Sequence, residues 1–143
     1  MVVMTQDARK LDPFFSFDKI LLDAPCSGSG TLCFQGANDG RQRSGFSQEL
    51  LERSVKTQAQ LLQKALELLK PGGILLYSTC SILAAENEHN IQKLLSRKKV
   101  TLIPLDPFLP EGIPLLPVQL EGTCCIRPTD LYEGFFVAKL QKR

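Results

Sequence analysis

Two short aliphatic runs, Phe17-Asp18-Lys19-Ile20-Leu21-Leu22 and Gly73-Ile74-Leu75-Leu76-Tyr77, each lead straight into a cysteine-bearing turn. The turns are Asp23-Ala24-Pro25-Cys26-Ser27-Gly28-Ser29-Gly30 and Ser78-Thr79-Cys80-Ser81. Both runs read as strands, and the segment between them carries apolar residues at helical spacing. If the strands are parallel neighbours, both thiols emerge at one edge of one sheet, roughly one or two strand spacings of ~4.8 Å apart. In open α/β sheets that carboxyl edge is where ligands bind. Two thiols and a carboxylate gathered there point to covalent chemistry.

The remaining elements follow from local signals. Val2-Val3-Met4 reads as a short strand, and residues 17–23 as a buried parallel strand with aliphatic residues on both faces. Glycines 28, 30, 36, 40 and 45 mark a long loop that holds Arg41 and Arg43. Ser47 is a plausible N-cap, and Gln48-Glu49 suit the positive end of a helix. Leu51, Val55, Leu62, Leu66 and Leu69, supported by Leu61 and Ala65, form its apolar face, and Pro71-Gly72-Gly73 ends it. A strand at 73–79, a helix from about Ala84 to Ser96 burying Ile91, Leu94 and Leu95, and a strand at 100–105 come next. Residues 104–128 carry six of the nine prolines and read as an irregular ordered loop. Residues 134–140 form a last strand, reached by a loop and so free to run antiparallel. This order is a doubly wound α/β pattern.

Composition narrows the class without choosing a function. A chain of 143 residues, 43% hydrophobic and 22% charged, is most economically one globular domain. A net charge of +2 permits a polyanionic partner and does not require one. The five cysteines, Cys26, Cys33, Cys80, Cys124 and Cys125, are odd in number and lack the paired spacing of a zinc site. Adjacent Cys124 and Cys125 chelate poorly, since neighbours on extended backbone point to opposite faces. No metal is expected. No signal peptide and no stretch long enough to span a bilayer is apparent, so reduced thiols in a cytoplasm, nucleus or organelle matrix are expected.

The two cysteine motifs in this order resemble those of the Sun (Fmu-like) family of RNA cytosine-5 methyltransferases. Asp7-Ala8-Arg9, Leu69-Lys70-Pro71-Gly72-Gly73, Glu86-Asn87-Glu88 and the closing Gly134-Phe135-Phe136-Val137-Ala138-Lys139-Leu140 extend the resemblance from about residue 4 to the end. It implies a Rossmann-like class I methyltransferase fold, mostly parallel with a last antiparallel strand. It also implies S-adenosylmethionine as cofactor and ribosomal or transfer RNA as partner, with no membrane. Carbon 5 of cytosine is too electron-poor to attack a methyl donor until a thiolate adds at carbon 6. The resemblance assigns that nucleophile to Cys80, activated by a helix N-terminus near Ala84, and gives Cys26 the task of assisting release. Asp23, partly buried and protonated, would hydrogen-bond the cytosine ring nitrogen and amino group. Asp7, Asp23 and Pro25 are the expected cofactor contacts. Arg127 and Pro128 resemble part of an arginine-containing segment, Cys33, Cys124 and Cys125 are expected to be structural, and His89 to lie on a solvated flank.

The chain departs from that family at its start. Only six residues precede Asp7, and the cofactor's glycine-rich loop and acidic ribose-binding residue have no counterpart. Residues 1–143 are therefore expected to be the C-terminal portion of a catalytic domain, inactive and weak in cofactor binding by themselves. Strand 17–23 is expected as an exposed edge, with self-association through it or a disordered N-terminus. Two other classes stay open. One is a truncated or degenerate paralogue that binds RNA or a partner without catalysis. The other is a cysteine hydrolase, disfavoured by the single histidine and the lack of a nucleophile elbow.

Overall fold

A computed structural model describes residues 2–34, 46–105 and 109–143, with 32–34 described in backbone alone. The elements are β1 (Phe17–Asp23), α1 (Gln48–Leu68), β2 (Leu69–Thr79), α2 (Glu88–Ser96), β3 (Val100–Ile103), β4 (Cys124–Ile126) and β5 (Phe135–Lys142). Short 3-10 turns cover Ala8–Lys10 and Ser29–Phe34. The sheet runs β1-β2-β5-β3, with β4 also pairing β5. β1 and β2 are parallel, and β5 is antiparallel to β2, β3 and β4. The partial Rossmann-like α/β fold is therefore present, with its antiparallel closing strand.

α1 starts where its cap chemistry puts it: the Ser47 hydroxyl accepts from the Leu50 N–H at 3.0 Å. Its buried row is Ser54, Gln58, Leu62, Ala65 and Leu66, so the expected apolar face holds only in the second half. Leu51 and Val55 are half-buried, and the inward positions near them are polar. Alternate residues of β2 and β5 point at the helices: Leu75, Tyr77 and Thr79 on one, Phe136, Ala138 and Leu140 on the other, all fully buried. Tyr77 and Phe136 meet edge to face with ring centroids 6.3 Å apart. Burying each such large side chain stabilises by roughly 1.5–3 kcal/mol. α1 and α2 belong to this one core and contact each other, so both cover the same face of the sheet. No described helix is long and apolar enough to cross a membrane.

Several expectations are corrected. Val2, Val3 and Met4 are exposed and form no strand, because no neighbour offers them a hydrogen-bonding ladder. β1 is the edge strand, as expected, yet not buried on both faces: Leu21 is 69% exposed. α1 ends at Leu68 and β2 begins at once, so Pro71-Gly72-Gly73 lies inside the strand, where the register jumps from Phe17↔Leu69 to Lys19↔Ile74. A proline without an N–H is accommodated at just such an irregularity. Within the 104–128 segment, Cys124–Ile126 is a strand on β5, because the free edge beside residues 135–137 takes it up. Gly36, Gly40, Gly45, Arg41, Arg43, Pro107 and the Cys33 side chain lie outside the described residues.

Candidate active site

β1 and β2 end in register, Asp23 beside Ser78, and the Ala24 N–H carries the ladder one step further to the Ser78 carbonyl at 2.9 Å. Two loops then leave the same end of two adjacent strands. They are tied at once, since the Gly30 N–H donates to the Cys80 carbonyl at 3.0 Å. A Cβ on Gly30 would lie 2.7 Å from that carbonyl and 2.3 Å from the Gly134 carbonyl, so only glycine permits the crossing. The result is a sulfur pair: Cys26 Sγ lies 3.1 Å from Cys80 Sγ, both half-buried. Asp23 ends β1 three residues before Cys26, its Oδ1 accepting from Ser78 Oγ at 2.8 Å. The structure thus brings Cys26 and Cys80 into contact and ties Asp23 to Ser78, two residues before Cys80.

The surroundings of Cys26 act on its thiol. Burial pushes the Cys26 thiol up to about 12, and the hydrogen bond with Cys80 adds to it, with the charges of Cys80 and Glu86 behind; only the Gly28 N–H opposes. Cys26 therefore holds its proton more tightly than an exposed thiol does.

Two expectations about activation fail. α2 begins at Glu88, four residues after Ala84, because Asn87 has φ −110 and ψ −100 and breaks the helical run. Its amide is spent elsewhere: Oδ1 accepts from Thr79 Oγ1 at 2.7 Å and Nδ2 donates to the Ser81 carbonyl at 2.8 Å. Residues 84–87 are turn, so no helix N-terminus begins near Ala84. Asp23 is exposed rather than partly buried, since β1 is an edge and only β2 flanks it.

The loops rest on a buried polar layer that sequence reasoning did not single out. Glu86, fully buried, accepts from the Ser27 N–H at 2.8 Å and from Ser27 Oγ at 2.6 Å. Gln58 of α1 donates to the Pro25 carbonyl at 2.9 Å and to Glu86 Oε1 at 3.1 Å. Asn90 donates to Gln58 Oε1 at 3.0 Å. Ser29 and Ser81 join their hydroxyls at 2.9 Å. One signal was legible: Ser54 and Gln58 sit on the i, i+4 row that leads to Leu62, polar residues at core positions.

Of the residues expected to contact the cofactor, Asp7 precedes the Ala8–Lys10 turn, Asp23 ends β1 and Pro25 follows it. Asp7 caps the Ala8–Lys10 turn, and both its oxygens are taken by Arg9, the closest contact being 2.6 Å. That guanidinium holds the Asp7 carboxyl at about 2, well below the usual range. The hollow beside Asp7 is lined by Arg9, Lys10, Gln60, Gln63, Lys64 and Glu67, and includes neither Asp23 nor Pro25. Of the remaining residues, His89 is exposed and Arg127 is exposed, while Cys124 and Cys125 are buried in β4. Burial raises the Cys125 thiol to about 11. Among the described residues no group of three or more His, Cys, Asp or Glu side chains is placed to hold a metal ion.

The model of the family described as 16S rRNA methyltransferase RsmB/F matches residues 1–141. Ribosomal RNA small subunit methyltransferase F of Serratia proteamaculans (strain 568) is 39% identical over 131 residues, covering 89% of this chain and 26% of its own length. Among solved structures, a methyltransferase homolog protein from Pyrococcus horikoshii superposes with TM-score 0.70 at 37% identity, covering 91% of this chain and 40% of that one. NSun6 from Pyrococcus horikoshii, solved with SFG, gives TM-score 0.75 at 31% identity, covering 97% and 34%. The chain spans about a quarter of the length of the curated relatives it matches.

Proposed function

The chain belongs to the 16S rRNA methyltransferase RsmB/F family, and from that premise we propose that its site serves transfer of a methyl group to carbon 5 of cytosine in RNA. The family's methyl donor is S-adenosylmethionine. Ribosomal RNA is the favoured substrate, in keeping with the names of the curated relatives, and the cytoplasm the favoured compartment. Residues 1–143 are read as the C-terminal portion of the catalytic domain, inactive alone.

The carrying observation is the 3.1 Å contact of Cys26 and Cys80 at the end of two parallel strands, the first of which ends at Asp23. The target base must leave its stack to reach that edge. Cys80 then adds as thiolate to carbon 6, and the electron pair of the 5,6 double bond makes carbon 5 nucleophilic. Asp23 hydrogen-bonds the pyrimidine edge and holds the ring as charge arrives. After methylation, Cys26 assists passage of the carbon 5 proton to solvent; the electron pair of that C–H bond re-forms the double bond and expels the Cys80 thiolate. The cofactor would supply the methyl group, with Asp7, Asp23 and Pro25 read as the residues of this chain that contact it.

A non-catalytic binding module gives no reason for two thiols to be held in contact by a buried polar layer. Self-association of residues 1–143 through β1 is the further reading that the exposed edge supports.

The test uses the complete protein. With RNA containing 5-fluorocytosine, which blocks loss of the carbon 5 substituent, Cys80→Ala should abolish the covalent adduct. With ordinary RNA, Cys26→Ala should accumulate one. The reverse pattern would exchange the two roles, and no adduct with any variant would end the covalent reading.

A further inference from the structure

We propose that Glu86 and Asn87 are positioning residues with separate clients: Glu86 holds the Cys26 loop and Asn87 holds the Cys80 loop, so that one dipeptide sets the spacing of the two sulfurs. The inference rests on the methyltransferase reading for its enzymatic consequences, and on geometry alone for its structural ones.

Each side chain grips the residues next to one cysteine. Glu86 takes both the N–H and the hydroxyl of Ser27, the residue after Cys26. Asn87 takes the hydroxyl of Thr79 and supplies an N–H to the Ser81 carbonyl, the residues on either side of Cys80. The Ser81 N–H also donates to Thr79 Oγ1 at 3.2 Å, closing a small ring around that cysteine. Tyr77 donates its hydroxyl to the Glu86 carbonyl at 2.7 Å, Asn90 reaches the same oxygen at 3.2 Å, and Glu86 and Asn87 are both fully buried.

Adjacent residues with different clients should fail differently, which a merely structural role would not produce. In the complete protein, Glu86→Ala frees Ser27 and displaces Cys26 while Cys80 stays in place. Ordinary RNA should then accumulate a denaturation-stable adduct, as with Cys26→Ala. Asn87→Ala displaces Cys80 instead, so adduct formation with 5-fluorocytosine RNA should slow, by about 10²-fold for a misplacement near 1 Å. Glu86→Gln keeps an acceptor for the Ser27 N–H and should restore release. If Glu86→Ala does not fold, Ser27→Ala removes only the hydroxyl arm and should shift release in the same direction.

A second measurement needs no RNA. Diamide oxidises the two thiols to a disulfide, taking up their two protons and two electrons to become the hydrazine. The Cys26–Cys80 bond, read by mass spectrometry of the linked peptides, should form at least about tenfold more slowly in Glu86→Ala and Asn87→Ala than in the wild type, since reactivity follows the placement of the reacting atoms. Unchanged disulfide rates would overturn the proposal. So would equal loss of adduct formation in both folded variants. Absence of any adduct with the wild type, alongside slowed disulfide formation in the variants, would overturn the methyltransferase reading and leave the positioning roles standing.

Discussion

Cys26 and Cys80, 54 residues apart in sequence, place their sulfurs 3.1 Å from one another. Burial and this contact raise the Cys26 thiol from 9.0 to about 12. A group whose proton is held more tightly in the folded state adds stability that is complete below the unfolded value. That stability is lost as pH rises through the folded one.

Alkaline sensitivity follows from that sign. Stability should fall between pH 9 and about 12, where Cys26 must ionise in place, with Cys125 contributing from 9 to about 11. Cys26→Ala should flatten part of the decline in thermal melts taken across that range. Labelling of Cys26 by iodoacetamide should stay slow at pH 7 and rise only toward the top of the window; fast labelling at neutral pH would refute the assignment.

The crossing of Gly30 and Gly134 has no room for a side chain. Gly30→Ala places a Cβ against two backbone carbonyls, neither of which can swing away as a side-chain tip would. Overpacking of this kind costs about 1–3 kcal/mol. Urea unfolding should show that loss, and diamide-driven linking of Cys26 to Cys80 should slow, because the Gly30 to Cys80 hydrogen bond holds the two loops together.

Tyr77 spends its hydroxyl on the Glu86 carbonyl at 2.7 Å inside the core. Tyr77→Phe keeps the ring packing against Phe136 and deletes one buried hydrogen bond, a loss of about 1–2 kcal/mol. Phe136→Ala, which empties a fully buried site, should cost about 3–5 kcal/mol. Denaturant melts of the two variants should rank in that order; equal losses would mean that the hydroxyl matters as much as the ring.

The unpaired side of β1 carries a further expectation. Leu21 is exposed on the strand and Phe14 is 90% exposed just before it. Residues 1–143 should associate in a concentration-dependent way in sedimentation velocity, and Leu21→Lys should shift the population to monomer. A monodisperse wild-type monomer at high concentration would refute edge pairing.

Local pattern was enough for the elements that carry the chemistry. The aliphatic runs before Asp23 and Ser78, the Ser47 cap and the closing strand at Phe135 are each decided by residues within a few positions of one another. Parallel pairing of two such strands then places both cysteines at one edge almost by necessity. The grip on those cysteines was decided elsewhere. Ser27 and Glu86 stand 59 residues apart, and nothing in the local order of either segment says that one will satisfy the other. Asn87 reads as part of the first turn of a helix until its amide is seen to serve Thr79 and Ser81. Val2-Val3-Met4 has the composition of a strand and forms none, since a strand exists only where a neighbour supplies its hydrogen bonds. Periodicity reports what a segment can bury; only the packed chain decides which buried polar group each loop will hold.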